Sequence, residues 1–240
     1  MSKVKFLNSN MLKFLAMFLM LLDHLWATIV PGSQWMTILG RMAFPIFAFL
    51  LVEGYFHTSN LKRYVLRLLA FAVISEIPFN LMYSSSVIYP FHQNVIWTLL
   101  IGLWMIHLNE KSRNTGKWSL RIAVIIGTIL LGMLLGLISF ADYNAAGVLT
   151  ILVFYFFRGR KWWCFLGQLL CLWYINTEIL GGYSYEVTIL GETHFIARQE
   201  FALLALIPIW LYKGRQGYHS KLVQYGYYAF YPLHLLILGI

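Results

Sequence analysis

Long apolar runs, such as Met11 to Val30 and Ile122 to Ile138, constrain this chain more than any other feature. A helix needs roughly 20 apolar residues to cross the hydrocarbon of a bilayer. In hydrocarbon every backbone N–H and C=O must be satisfied within the chain, which leaves helices or closed barrels. A barrel requires short segments of strict alternation, and these runs do not alternate. Composition agrees: 60% of the 240 residues are hydrophobic and 11% are charged, against about a quarter charged in a soluble domain. The expected fold is all-α, a polytopic transmembrane helix bundle, forming one domain over residues 1–240.

About nine spans are expected, over 10–30, 36–56, 62–83, 93–108, 120–139, 144–157, 162–178, 199–212 and 223–240. The sixth and eighth are short, so tilted, re-entrant and interfacial placements stay open for them. Loop charge tests this parse, because cytoplasmic loops are rich in Lys and Arg. Lys3, Lys5 and Lys13 lie at the first end. Lys62, Arg63 and Arg67 follow the second span. Lys111, Arg113, Lys117 and Arg121 follow the fourth, Arg158, Arg160 and Lys161 the sixth, and Lys213, Arg215 and Lys221 the eighth. Sixteen of the eighteen basic residues thus fall on alternate connections, leaving Arg41 and Arg198. The connections around Pro31–Trp35, Ser84–His92 and Ser139–Tyr143 contain none. The pattern predicts a cytoplasmic N-terminus, an outer C-terminus and an odd number of spans.

The basic start runs into a long apolar stretch without a small-residue cleavage signature, so it reads as a retained span rather than a removed signal peptide. The net charge of +9 reads as topology and contact with anionic lipid headgroups, not nucleic-acid binding. Cys164 and Cys171 lie about two helical turns apart, too far for an unstrained disulfide, and no metal-ligand spacing is present. The connection from Thr177 to Ala197 is the longest, and as an aromatic and polar loop it is placed to cap the outer face. Trp97, Trp118, Trp162 and Trp163 read as interfacial belt residues. His107 and His219 read as inner-boundary residues. Gly127, Gly132 and Gly136 read as small helix-packing positions.

Ionisable groups within the spans carry the chemistry. A charge at the bilayer centre costs on the order of 3 kcal/mol, so it needs a partner, a water-filled cavity or a function. Asp23 and His24 lie on the first span, Arg41 and Glu53 on the second, Glu76 on the third and His234 on the ninth. At about 1.5 Å per residue, His24, Arg41, Glu76, Thr98 and His234 all sit roughly 8–11 Å below the outer surface. An ion-pair network that fixes helix packing is one explanation. The chemical one starts from His24, since histidine accepts and releases protons near neutral pH. Asp23 cannot orient its direct neighbour, because adjacent helical residues point about 100° apart. An acid on another helix, such as Glu76, is needed for that. Arg41 is suited to stabilise an oxyanion or to anchor a carboxylate.

A second cluster lies at the inner end. Glu53 and His57 are spaced i, i+4 on one helix face, and His57, Lys62, Arg63 and Arg67 bracket a short loop. Positive-inside topology accounts for the cations. The functional alternative is a phosphate-binding mouth, since Lys and Arg suit multiply charged phosphates.

Several stretches resemble the TraX family. Leu12–Lys13–Phe14–Leu15–Ala16 to Leu22–Asp23–His24 looks like its first span. Gly40–Arg41–Met42–Ala43–Phe44–Pro45 onward, Glu53–Gly54–Tyr55 and His57–Thr58 continue the likeness. Arg63–Tyr64, Arg67–Leu68, Ser75–Glu76–Ile77–Pro78–Phe79 and Phe230–Tyr231–Pro232–Leu233–His234–Leu235 complete it. The first eighty residues and the last fifteen carry the match, and the middle resembles the family in hydropathy.

The resemblance implies a membrane-embedded acetyltransferase in the inner membrane of a bacterium. The family's named member acetylates the N-terminus of pilin during conjugation. Acetyl-CoA would be the acetyl donor, and the acceptor an extracytoplasmic protein or glycan bearing an amine or hydroxyl. His24 would be the catalytic histidine, with Asp23, Arg41 and Glu76 as partners. Glu53, His57, Lys62, Arg63 and Arg67 would meet the CoA nucleotide, and Thr98 and His234 would line the substrate side. No metal is implied. A proton-coupled transporter and a non-enzymatic assembly factor are the competing classes. Against the transporter, no internal repeat is visible, and no pair of broken helices beyond the kinks that Pro45 and Pro78 can give their spans.

Overall fold

A computed structural model describes residues 6–113, 116–189, 192–218 and 220–240. Lys3, Lys5 and His219 lie outside the described residues. The elements in order are α1 (Ser9–Thr28), α2 (Gln34–Gly40), α3 (Ala43–His57), α4 (Leu61–Ser84), α5 (Val95–Ser112), α6 (Trp118–Ile138), α7 (Asn144–Phe156) and α8 (Trp162–Tyr174). A π-helical extension over Ile175–Leu180 follows α8. Then come strands β1 (Ser184–Ile189) and β2 (Glu192–Ala197), a 3-10 stretch over Arg198–Ala205, α9 (Leu206–Trp210) and α10 (Lys221–Gly239). Helix therefore dominates, as expected of a membrane protein. Among the described residues, four helical segments are long and apolar enough to cross a bilayer: 9–28, 34–57, 61–84 and 118–138.

Asparagines start several helices, because an Asn side chain satisfies an orphan N–H of the first turn. Asn8 accepts from the Met11 amide at 2.9 Å, and Asn60 from the Arg63 amide at 2.9 Å. The segment expected as a span over 36–56 is one span-length apolar segment, 34–57, broken locally at Arg41–Met42 between α2 and α3. Pro45 explains the break. It has no N–H to give the Arg41 carbonyl, and its ring clashes with that carbonyl in a continuous helix. Pro78 lies inside α4, which runs on to Ser84.

The larger departure is the connection from Thr177 to Ala197, expected as a loop. It contains an antiparallel hairpin in which Ser184 faces Ala197 and Ile189 faces Glu192. The run is rich in β-branched and aromatic residues, which favour a pleated ribbon over a helix. The Tyr185 hydroxyl donates to Gln34 Oε1 at 3.0 Å.

The chain gathers into two compact units, 1–50 with 160–230 and 51–159 with 231–240. The first unit buries Leu12, Ala16, Leu19, Ile46, Cys164, Leu172, Ala205 and Leu206. The start of α1 is pinned to the segment after α9, with the Ser9 amide donating to the Arg215 carbonyl at 2.9 Å. The second unit centres on Met105, Val148 and Leu152, from α5 and α7, with Ile129 of α6 against them. Glycines allow the close approach. A Cβ on Gly132 would meet Val148 Cγ1 at 2.8 Å, and one on Gly136 the Asn144 carbonyl oxygen at 2.6 Å. Gly127 does not share this role: a Cβ there would meet nothing within 4 Å. Both cysteines are free thiols.

Candidate functional site

In the first unit, α1 and α2 bring three polar side chains together. Asp23 Oδ1 accepts from the Thr37 hydroxyl at 2.7 Å, and Asp23 Oδ2 pairs with Arg41 Nη2. Thr37 and Arg41 are four apart, so the α2 helix presents both toward α1. Gly40 makes the contact feasible, since a Cβ there would overlap the Asp23 side chain. Each partner of the ion pair is 14% exposed. Pairing offsets the cost that either charge alone would carry in an apolar helix. His24 is the next residue on α1 and is 8% exposed. Nearby in the same unit, the Arg198 guanidinium lies 4.8 Å over the Trp26 ring.

The second unit holds the other candidates. Glu76 Oε2, on α4, accepts from the Trp97 indole N–H at 3.0 Å and from the Asn94 amide. Asn94 also donates to the Ala72 carbonyl at 2.9 Å, tying the start of α5 to α4. Trp97 is therefore a donor to a half-buried carboxylate rather than only a belt residue. Trp118 and Trp162 are exposed, as belt residues should be. Thr98 is fully buried, and its hydroxyl donates to the Asp142 carbonyl, so it braces a loop. His234 is buried, with its ring 5.7 Å from that of Tyr231.

His92 and Asp142 form a further pair, with Nε2 and Oδ1 3.5 Å apart. The contact with Asp142 raises the His92 pKa above the ordinary histidine value against the lowering effect of burial. Neither residue carries a spacing signal in the sequence, because each lies in a connection outside the apolar runs. Asp23, His24 and Arg41 thus fall in the first unit, and Glu76, Thr98 and His234 in the second.

At the other end of the second unit, Glu53 accepts from Arg158 Nε at 2.7 Å. The Arg158 guanidinium lies 4.1 Å over the Phe56 ring, and His57 Nδ1 lies 3.9 Å from Glu53 Oε2. Glu53 is therefore neutralised by a cation that sequence spacing had assigned only to topology. Lys62, Arg63 and Arg67 are exposed on the first two turns of α4. Among the described residues none of the three has an ion-pair partner. Glu110 accepts from Arg113 Nη1 at 2.8 Å and from the Tyr155 hydroxyl at 2.7 Å.

Apolar helices carrying half-buried acids, a half-buried guanidinium and buried histidines define a helical membrane protein with ionisable groups inside its apolar segments. The chain belongs to the TraX family, whose profile, described as "TraX protein", matches residues 8–240. It is also similar to a protein of Dichelobacter nodosus described as "Probable fimbrial assembly protein FimC, serogroup H1". The two are 25% identical over 258 residues, covering 95% of this chain and 92% of that protein. No solved structure gives a significant match.

Proposed function

We propose that this protein is a bacterial inner-membrane acetyltransferase. It moves an acetyl group from cytoplasmic acetyl-CoA to an amine or hydroxyl at the outer side, on a pilin-like or other extracytoplasmic acceptor. The observation that carries the reading is the buried His24 beside the Asp23–Arg41 pair, within a chain of the TraX family. Transfer depends on His24, either as proton acceptor or as the group that holds the acetyl in transit. Asp23 positions Arg41, whose charge suits the oxyanion of the tetrahedral intermediate. Lys62, Arg63 and Arg67, exposed together, suit the CoA phosphates.

Nine crossings with an inner N-terminus and an outer C-terminus belong to the same proposal. Contacts within each unit support it, because they join connections that charge alternation assigns to one side. Ser9 bonds to Arg215, Glu53 to Arg158, and Glu110 to Tyr155, all predicted inner. Tyr185 bonds to Gln34, and Gln93 to Phe140, all predicted outer.

The name of the Dichelobacter nodosus relative favours a second reading, an assembly factor without catalysis. Thermal unfolding of the detergent-solubilised protein separates the two. A ligand at 100 times its Kd stabilises a native state by about 2.7 kcal/mol. Acetyl-CoA should therefore raise Tm, and the Lys62→Ala/Arg63→Ala/Arg67→Ala variant should lose most of that rise. An unchanged Tm at saturating acetyl-CoA favours the assembly factor.

A further inference from the structure

In the second unit, the loops that precede α5 and α7 are stitched to each other. The Gln93 amide donates to the Phe140 carbonyl at 2.9 Å, and the Asp142 amide to the Gln93 carbonyl at 2.9 Å. The Thr98 hydroxyl adds a bond to the Asp142 carbonyl from α5. Phe140, Tyr143 and Asn144 all have positive φ, at 51°, 63° and 45°. Residues with a Cβ enter that region at a cost, and such strain collects at functional sites. Asp142 is what this loop fixes. Its Oδ1 accepts from the Tyr143 amide at 3.0 Å and lies 3.5 Å from His92 Nε2.

His92 is held from α4 as well. Its ring meets Phe79 edge-on at 4.9 Å and Tyr83 at 5.4 Å. Yet both members of the pair stay accessible, with side chains 36% and 31% exposed. A purely structural ion pair does not need two loops, a strained backbone and an aromatic clamp to hold it half open.

We propose that His92 and Asp142 are an acid–base dyad contained within the second unit, with His92 taking the proton of the acetyl acceptor. The proposal rests on the acetyl-transfer reading and assigns to the dyad the first of the two roles open to His24. Asp142 is the positioning residue: it accepts from Nε2–H and leaves Nδ1 as the basic nitrogen. As the acceptor nitrogen or oxygen forms its bond to the acetyl carbonyl carbon, its proton passes to Nδ1. The bond from that carbon to the atom carrying the acetyl, the His24 nitrogen once the CoA sulfur has been displaced, breaks with that nitrogen keeping the electron pair, and the His92 imidazolium returns its proton to solvent. The 3.5 Å separation exceeds a tight hydrogen bond, as is common in unliganded catalytic sites.

A pH profile distinguishes this role from a brace. The hydrogen bond and charge of Asp142 and the charge of Glu76 raise the His92 pKa, and burial lowers it. Tyr83 of α4 and Tyr231 of α10 are the other titratable groups of this cluster, Tyr231 being electrostatically coupled to Asp142 and Glu76. A base works unprotonated, so the rate rises with pH through the His92 pKa. Removing Asp142 lowers that pKa and moves the rising limb to lower pH.

The experiment uses the full chain in liposomes with acetyl-CoA labelled in the acetyl group inside and follows label transfer to a pilin-derived peptide outside across pH. His92→Gln should lower the rate about 100-fold or more. Asp142→Asn should retain measurable transfer with its rising limb displaced to lower pH. Wild-type rates in His92→Gln, or an unmoved limb in Asp142→Asn, would overturn the dyad while leaving acetyl transfer intact. Absence of transfer by the wild type would remove the acetyl-transfer reading, and the dyad's role with it.

Discussion

Arg41 is the residue whose environment carries the sharpest energetic consequence. A guanidinium in an apolar helix is costly alone, and here it faces Asp23, which Thr37 also holds. Removing one member strands the other in a poorly solvated site, at about 3–5 kcal/mol. Arg41→Ala should therefore destabilise the protein by that amount in chemical unfolding from detergent micelles. The Asp23→Leu/Arg41→Leu pair should recover most of the loss. Losses in the double variant equal to the sum of the Asp23→Leu and Arg41→Leu losses would show that the two charges do not interact. Opposite charges at 23 and 41 on neighbouring spans are visible in the sequence, and the structure joins them. Thr37 was equally available as the residue four before Arg41. Trp97 was not: whether an indole faces lipid or a carboxylate depends on Glu76, brought beside it by the packing of α4 on α5.

Among the elements, α5, α6 and α7 approach most closely where side chains are absent. Gly136 meets the backbone of Asn144, which cannot move aside, whereas Gly127 faces open space. Gly136→Ala should cost about 1–3 kcal/mol through overpacking. Gly127→Ala should leave stability unchanged or slightly raised, since Ala is the better helix former. Similar losses at both positions would contradict this account of the packing. Spacing on α6 does not distinguish the two glycines; the position of α7 does. The helices themselves were legible because apolar runs of span length have few other folds in lipid. The division at Arg41–Met42 was legible in principle from Pro45. The hairpin was not expected because a long connection between spans carries no periodicity requirement, although its β-branched residues offered a signal.

At the scale of the whole molecule, the two units each combine segments far apart in sequence, and no local pattern encodes that grouping. Charge alternation does speak to the whole chain, because each loop must choose a side. Chemistry across the bilayer would be the functional counterpart. A basic inner mouth would receive acetyl-CoA, and the acceptor would wait outside. The direct measurement is label transfer in proteoliposomes containing the full chain, with acetyl-CoA labelled in the acetyl group sealed inside and a pilin-derived peptide outside. Wild-type protein should place label on the outer peptide, and His24→Ala should reduce that transfer by about 100-fold or more. Equal transfer by the two proteins, or none by the wild type, would contradict this reading.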